Sequence, residues 1–167
     1  MNWTHIIVHH SATKDGKVND WKAIKQYHMS YRIDGTSVTV EEFERRLLVK
    51  EGKRFERPWS DIGYHFGIER VEDIFQLQLG RPLSAPGAHT VGMNHCAIGI
   101  CCVGGYDKEA PPEGMVSMLV DLLKELCQQF GIPTQNIARH SDYAPKTCPG
   151  TQFDLAMIKL RVRAALV

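Results

Sequence analysis

Short apolar runs typical of buried strands alternate along this chain with segments whose apolar residues recur at helical spacing. The run HIIVHH (5–10) precedes a helical pattern at 18–31, and AIGICCVGG (97–105) precedes the strongest helical pattern, at 113–131. Because strands that alternate with helices favour a layered arrangement, this order predicts an α/β fold. We expect a single domain over 1–167 with a central, mostly parallel mixed β-sheet flanked by helices.

Capping residues mark where the predicted helices begin and end. Asn19 or Asp20 is a suitable cap for the helix at 18–31, and Thr39 with Glu42 has the spacing of a capping box. This second helix should end near Gly52. Further strands are expected at 62–70, 72–80 and 136–140, and a last helix from about 154 to 166.

The overall composition is that of a soluble globular protein, with 43% apolar and 23% charged residues. A formal net charge of +1 gives no electrostatic reason to expect a nucleic-acid partner. No apolar run approaches the roughly 18 residues of a membrane span, so we expect no membrane insertion. Residues 1–13 lack the basic leader and apolar core of a Sec signal peptide, which predicts synthesis in the cytoplasm.

The five cysteines make a poor disulfide framework, because their number is odd and two of them are adjacent. Cys101 and Cys102 lie in a strand-like run and Cys127 in an apolar helical pattern, so we expect three buried free thiols. Cys148 differs, because it lies on a loop next to Pro149 and near Lys146.

The segment ARHSDYAPKTCPG, residues 138–150, carries an imidazole, an ammonium group and a thiol on one short loop. Its prolines exclude a regular helix or a central strand around Cys148. In the predicted sheet, His9 and His10 end the first strand at the same edge as His140. One histidine of that pair, together with His140 and Cys148, would form the three-ligand set of a catalytic zinc site with one open position.

Lys146 stands two residues before Cys148 and could stabilise both the thiolate and an oxyanion formed during catalysis. Two other interpretations of the same residues stay open. One is a core histidine beside an unrelated loop cysteine. The other is a cysteine hydrolase in which His140 activates Cys148 as the nucleophile.

Four motifs together extend this interpretation to a known family. In chain order, IIVHHSAT, DIGYHFGIER, GAHTVGMNHCAIGICCVGG and RHSDYAPKTCPG resemble the motifs of the zinc N-acetylmuramoyl-L-alanine amidases, which include phage endolysin amidases and peptidoglycan recognition proteins. The resemblance covers the chain from about Thr4 to Leu166 and implies an amidase or peptidoglycan-recognition-protein-like fold. Residues 33–60 match none of these motifs, so we expect them to be an insertion.

The resemblance also implies roles for six side chains. They are His9, His140 and Cys148 as ligands of one Zn²⁺, Tyr64 as the tyrosine that assists the water, Lys146 as the lysine that stabilises the transition state, and His89 as a substrate-binding residue near the groove.

The implied activity is hydrolysis of the amide bond between N-acetylmuramic acid and L-alanine, with peptidoglycan or a muropeptide as the partner. We expect a monomeric phage or prophage endolysin that acts on the cell wall after release from the host cytoplasm. A bacterial amidase that recycles muropeptides and a non-catalytic peptidoglycan-binding module stay as alternatives. The recycling relatives carry a glutamate in IGIE where this chain has Cys101, and the non-catalytic modules typically lack the cysteine that is Cys148 here.

Overall fold

A computed structural model of the chain describes residues 1–13, 20–49 and 52–167. In chain order its elements are β1 (His5–His10), α1 (Trp21–His28), β2 (Tyr31–Ile33), β3 (Thr36–Val38), α2 (Val40–Leu48), β4 (Phe55–Glu56), β5 (Phe66–Val71), β6 (Ile74–Leu79), β7 (Ala97–Cys102), α3 (Glu113–Phe130), β8 (Ile137–Arg139) and α4 (Leu155–Ala165). Single 3-10 turns at Thr134–Asn136 and His140–Asp142 flank β8.

The main sheet has the strand order β6-β5-β7-β1-β8. Strands β5, β7, β1 and β8 are parallel neighbours, and β6 pairs antiparallel with β5. Every residue of β7, and all of β1 except His5, is buried, as expected for strands covered on both faces. The predicted α/β fold with a mixed, mostly parallel sheet is therefore confirmed.

Helices cover both faces of this sheet. The apolar stripe of α3, with Met115, Leu119 and Leu123 fully buried, packs with α4 against one face. Trp21 at the start of α1 packs on the other face, against Cys101. Because side chains alternate along a strand, His9 points to the α1 face while Ile6 and Val8 pack on the α3 face.

The elements β2, β3, α2 and β4 form a second unit outside the main sheet. Strands β3, β2 and β4 make a small antiparallel sheet, and α2 places Phe43 against Tyr31 and Phe55 of these strands. The sequence pattern did not predict these strands, because two or three residues are too few to show a period of two. That 33–60 is an insertion, and that the domain extends over 1–167, stay predictions.

The starts of α1 and α2 and the end of α3 agree with the sequence signals, whereas α1 ends at His28 and α2 at Leu48, before the predicted ends at 31 and near Gly52. Asp20 accepts a hydrogen bond from the Ala23 amide at 2.7 Å, and Thr39 accepts one from Glu42 at 3.2 Å. Helix α3 ends at Gly131, whose φ of 64° is the left-handed conformation that glycine adopts without strain. The first helix begins at Trp21, and the part of its prediction at 18–19 lies outside the described residues. Within the described ranges, none of the helices is long and apolar enough to span a membrane.

Candidate metal centre and active-site cleft

Two neighbouring parallel strands bring distant histidines together. His9 lies near the carboxyl end of β1, and His140 directly follows β8, so their rings meet at one edge of the sheet with centroids 4.5 Å apart. Cys148 lies on the loop that follows. Each of the side chains of His9, His140 and Cys148 offers one donor atom, and these three atoms lie within 4.8 Å of one another.

The spacing of these donors fits a divalent metal ion. Zinc binds imidazole nitrogen at about 2.0–2.1 Å and thiolate sulfur at about 2.3 Å, so tetrahedral donors lie roughly 3.3–3.6 Å apart. The His9 Nδ1 and Cys148 Sγ atoms are already 3.7 Å apart. Two imidazoles and one thiol are also the donor set that zinc prefers. The residues therefore fit zinc with little rearrangement.

Burial keeps the two histidines in the neutral form that binds metals. Desolvation lowers the pKa of His9 well below its ordinary value, and the neighbouring His89 and His140 lower it further. Burial likewise lowers the pKa of His140, with a further contribution from Lys146. A neutral imidazole has a free nitrogen lone pair, so neither ring has to lose a proton before it binds a metal ion.

Burial has the opposite consequence for the thiol of Cys148. Desolvation raises its pKa to about 11, although the His10 amide and the Lys146 ammonium group both lower it. Without a bound cation this sulfur therefore keeps its proton at neutral pH. A metal ion would supply the positive charge that stabilises the thiolate.

Backbone hydrogen bonds hold the Cys148 loop against β1. The His10 amide donates to Cys148 Sγ at 3.4 Å, and the Ser141 amide donates to the Cys148 carbonyl at 2.9 Å. Asp142 accepts a hydrogen bond from the Arg139 amide at 2.8 Å, so it caps the turn that carries His140. Contacts within the loop and a contact with β1 therefore both hold the loop in place.

A chain of hydrogen bonds orients the His9 ring from behind. His89 Nε2 lies 3.2 Å from the Ala97 carbonyl, and His89 Nδ1 lies 3.0 Å from His9 Nε2. Because a carbonyl only accepts, neutral His89 donates from Nε2 and accepts at Nδ1. His9 then donates from Nε2, which leaves its Nδ1 lone pair facing Cys148 and free for a metal.

His89 is therefore a partner of a proposed ligand and is itself 9% exposed. Thr90 contacts the same pair, with its hydroxyl 3.0 Å from His89 Nδ1. The sequence motif suggested a substrate-binding role for His89, which stays a prediction. Its contact with His9 was not predicted, because 80 residues separate the two and only the β1–β7 packing brings them together.

Tyr64 lies above the same ring, on the segment before β5. Its ring centroid is 5.1 Å from that of His9. Burial raises the pKa of its phenol well above the ordinary value, and the nearby Cys101 and Cys148 sulfurs raise it further. The phenol is therefore neutral and carries a proton. Cys101 pairs with His9 in the β1–β7 register and packs with Trp21 and Tyr64 on the same face of the sheet.

These residues line an open cleft of about 540 Å³. Its walls are formed by His9, His10, Ser11, Ala12, Tyr64, Asp107, His140, Lys146, Thr147 and Cys148. Five of the six side chains that were predicted to act in catalysis or binding thus face one cavity, and the sixth, His89, lies behind His9. Asp107 was missed, because no local motif marks it. It accepts hydrogen bonds from Thr147 and Thr151 on the loop.

Three cysteines and two further histidines outside the metal cluster are buried. Cys101, Cys102 and Cys127 are buried free thiols. His10 accepts a hydrogen bond from the Tyr106 amide at 3.2 Å, and His65 accepts one from the Gly99 amide at 3.0 Å. Both histidines are buried and hold backbone segments of the core.

The chain matches, over residues 1–151, the family described as N-acetylmuramoyl-L-alanine amidase. The endolysin of Enterobacteria phage T3 is 32% identical over 156 residues, which cover 90% of this chain and 81% of that protein. The endolysin of Enterobacteria phage K11 is 39% identical over 105 residues, which cover 60% of this chain. That match spans 65% of the K11 protein's length.

A solved structure agrees with the sequence relatives. The endolysine N-acetylmuramoyl-L-alanine amidase LysCS from Clostridium intestinale URNW superposes with a TM-score of 0.70 at 25% identity. The alignment covers 97% of this chain and 84% of that one. The four motifs, the fold and the family match agree, and the chain belongs to the N-acetylmuramoyl-L-alanine amidase family.

Proposed function

We propose that this protein is a zinc hydrolase that cleaves the amide bond between N-acetylmuramic acid and L-alanine in peptidoglycan. The observation that carries the proposal is the convergence of two neutral imidazoles and one thiol beside Tyr64 and Lys146 in an open cleft. Membership in the amidase family supports the reaction and the substrate class. The phage relatives support a role as an endolysin that is made in the host cytoplasm and reaches the wall after release.

His9, His140 and Cys148 would hold the metal, with His89 orienting His9. When bound, zinc would supply Lewis-acid polarisation of the amide carbonyl and a water of lowered pKa. The remaining work falls to two side chains of the cleft. Tyr64 would hold the attacking water in line and exchange a proton with it.

Lys146 would stabilise the negative charge that develops on the amide oxygen. It is exposed on the cleft wall, and its charge already lowers the pKa of His9 and His140, which means that it lies close to both. A fixed cation at the place where charge develops lowers the barrier because it needs no rearrangement during the reaction.

The alternatives have less support. A cysteine hydrolase needs a thiolate at neutral pH, whereas burial raises the pKa of Cys148 to about 11. A recycling amidase of the IGIE type would use a carboxylate at the position of Cys101, which is a fully buried thiol. A binding module without activity would not need Cys148, Tyr64 and Lys146 in one cleft.

Elemental analysis and muropeptide digestion test this function together. We expect one zinc ion per chain and the release of peptides with a free L-alanine amino terminus. Treatment with 1,10-phenanthroline should abolish the cleavage, and added Zn²⁺ should restore it. Full activity of the metal-free protein, or binding of peptidoglycan without cleavage, would contradict the proposal.

Lys146→Ala should keep the metal and lose most of the activity. Losing one electrostatic partner of this kind costs about 2.7–4 kcal/mol, which is roughly a hundred- to thousandfold in kcat. The measurement is kcat on purified muropeptides together with the zinc content. Lys124→Ala, which removes a partly exposed lysine of α3 paired with Glu125, is a matched control that should behave like the wild-type enzyme. Wild-type kcat in Lys146→Ala would rule out the role of the lysine.

A further inference from the structure

Asp107, on the segment that follows β7, contacts the loop that carries Lys146 and Cys148. It is exposed on the wall of the cleft. Its Oδ2 accepts a hydrogen bond from the Thr147 hydroxyl at 3.1 Å, and its Oδ1 accepts one from the Thr151 amide at 3.1 Å. The Asp107 carbonyl accepts a third hydrogen bond, from the Thr151 hydroxyl at 2.7 Å. One residue thus contacts the loop on both sides of Cys148.

The backbone next to Asp107 is anchored in the core. The preceding residue, Tyr106, is buried and packs against Phe153 with ring centroids 5.7 Å apart. The Tyr106 amide donates to His10 Nδ1 at 3.2 Å, and the Tyr106 hydroxyl donates to the Val103 carbonyl at 2.7 Å. The position of Asp107 is therefore tied to the end of β1, the strand that carries one of the proposed ligands.

The turn after Cys148 lies very close to this anchored segment. The Gln152 amide donates to the Tyr106 carbonyl at 2.9 Å. A Cβ atom at Gly150 would lie only 2.3 Å from the same carbonyl oxygen, and the φ of 119° at Gly150 is one that glycine adopts without strain. The Gly150 amide in turn donates to the Thr147 carbonyl at 2.7 Å. The loop is therefore closed on itself and packed against the segment that carries the aspartate.

An exposed carboxylate in a catalytic cleft could either exchange protons with the substrate or hold the loop in place. Both oxygens of Asp107 already accept hydrogen bonds from the loop, which makes the carboxylate a weaker base. Thr147 lies between Lys146 and Cys148 in the chain, so its bond to Asp107 holds the stretch that carries both groups. The contacts therefore favour the second role.

We propose that Asp107 is a positioning residue that holds Lys146 and Cys148 in place for catalysis. This inference rests on the proposed amidase function, in which Cys148 binds the metal and Lys146 stabilises the developing charge. A ligand that is held in place before the metal binds loses less conformational entropy on binding. A cation that is held in place also stabilises the transition state without rearrangement. Loss of Asp107 should therefore affect both groups together.

In Asp107→Ala both side-chain hydrogen bonds to the loop are lost. We expect kcat to fall, and the rate of zinc release to rise, by about tenfold to a hundredfold, the range for groups that support metal ligands. KM should change much less than kcat, because the substitution disturbs the reacting groups rather than the recognition of the substrate. The measurements are kcat and KM on one muropeptide, and the rate of zinc transfer from the loaded protein to a chromophoric chelator.

Asp107→Asn distinguishes positioning from proton transfer. The asparagine oxygen can accept from the Thr151 amide while its amino group donates to the Thr147 hydroxyl, so both kcat and zinc release should stay within about threefold of wild type. Asp154→Ala is the matched control. Asp154 is also exposed and accepts a backbone hydrogen bond, from Met157 at 2.9 Å, where it caps α4. Its loss should leave kcat and zinc release unchanged.

Hydrogen exchange of the metal-free protein measures the position of the loop without turnover and without zinc. The amides of His10 and Ser141 donate to the sulfur and to the carbonyl of Cys148, respectively. Both amides should exchange faster in Asp107→Ala, because the loop that provides their acceptors is less firmly held. Asp154→Ala should leave their exchange rates unchanged.

Two results would overturn the positioning role. One is an Asp107→Asn enzyme that is as slow as Asp107→Ala but releases zinc at the wild-type rate, which would assign the carboxylate to proton transfer. The other is unchanged amide exchange and unchanged zinc release in Asp107→Ala. If the wild-type protein bound no zinc and cleaved no muropeptide, the amidase function would fail, while faster exchange in Asp107→Ala would still show that Asp107 holds the Cys148 loop.

Discussion

A Cys148→Ala variant is expected to lose the metal and, with it, essentially all amidase activity. The Cys148 sulfur is 3.7 Å from His9 Nδ1 and supplies the only thiol of the donor cluster. Two imidazoles alone bind zinc more weakly than a complete three-ligand site. Because Lewis acidity contributes several kcal/mol, we expect kcat/KM to fall by at least about a thousandfold. Zinc content after dialysis and muropeptide cleavage are the two measurements.

A matched control separates metal loss from damage to the fold. Cys96→Ala removes a half-buried thiol before β7, at the opposite end of the strand from the candidate site. This variant should keep both zinc and activity. Circular dichroism and thermal unfolding of both variants check that each is folded. If Cys148→Ala kept stoichiometric zinc, the proposed ligand set would be wrong.

Tyr64→Phe is expected to keep the metal and lose about a hundred- to ten-thousandfold in kcat, the range for a group that transfers protons. The substitution removes only the hydroxyl, so the ring should keep its packing beside His9 and Trp21. The measurements are zinc content, kcat and KM on one muropeptide. An unchanged zinc content with a lower kcat would assign the hydroxyl to the chemistry rather than to the metal site.

Tyr31→Phe is the matched control for Tyr64→Phe. Tyr31 packs against Phe43 in the small sheet and does not line the cleft. The same loss of one hydroxyl there should leave kcat unchanged within about twofold. A Tyr64→Phe enzyme with wild-type kcat would remove Tyr64 from the mechanism and leave Lys146 as the main protein group acting beside the metal.

Much of the fold could be predicted from local signals. These signals depend on residues only a few positions apart, so they can be recognised in the sequence alone. They are the apolar periodicity of 113–131, the helix end at Gly131 and the capping residues Asp20 and Thr39. The short β2, β3 and β4 strands could not be predicted, because two or three residues are too few to show a period of two.

The candidate site, like the fold, could be predicted from the sequence only in part. The His140 and Cys148 loop was visible as a motif, and the family resemblance selected His9 over His10. In the structure, alternation along β1 turns His9 towards Cys101 and His10 towards Tyr106, and the choice of His9 as a ligand stays a prediction. The contact of His89 with His9 was not visible, because no local motif encodes it.

The sequence by itself determined the kinds of the longer elements, the ends of most helices and the residue types available for chemistry. These features depend on interactions between residues only a few positions apart. Only the tertiary structure decided that His9 lies beside His140 and Cys148, more than 130 positions away in the chain. That proximity arises from the parallel pairing of β1 with β8, which forms because burying both strands under α3 and α4 removes their apolar side chains from water.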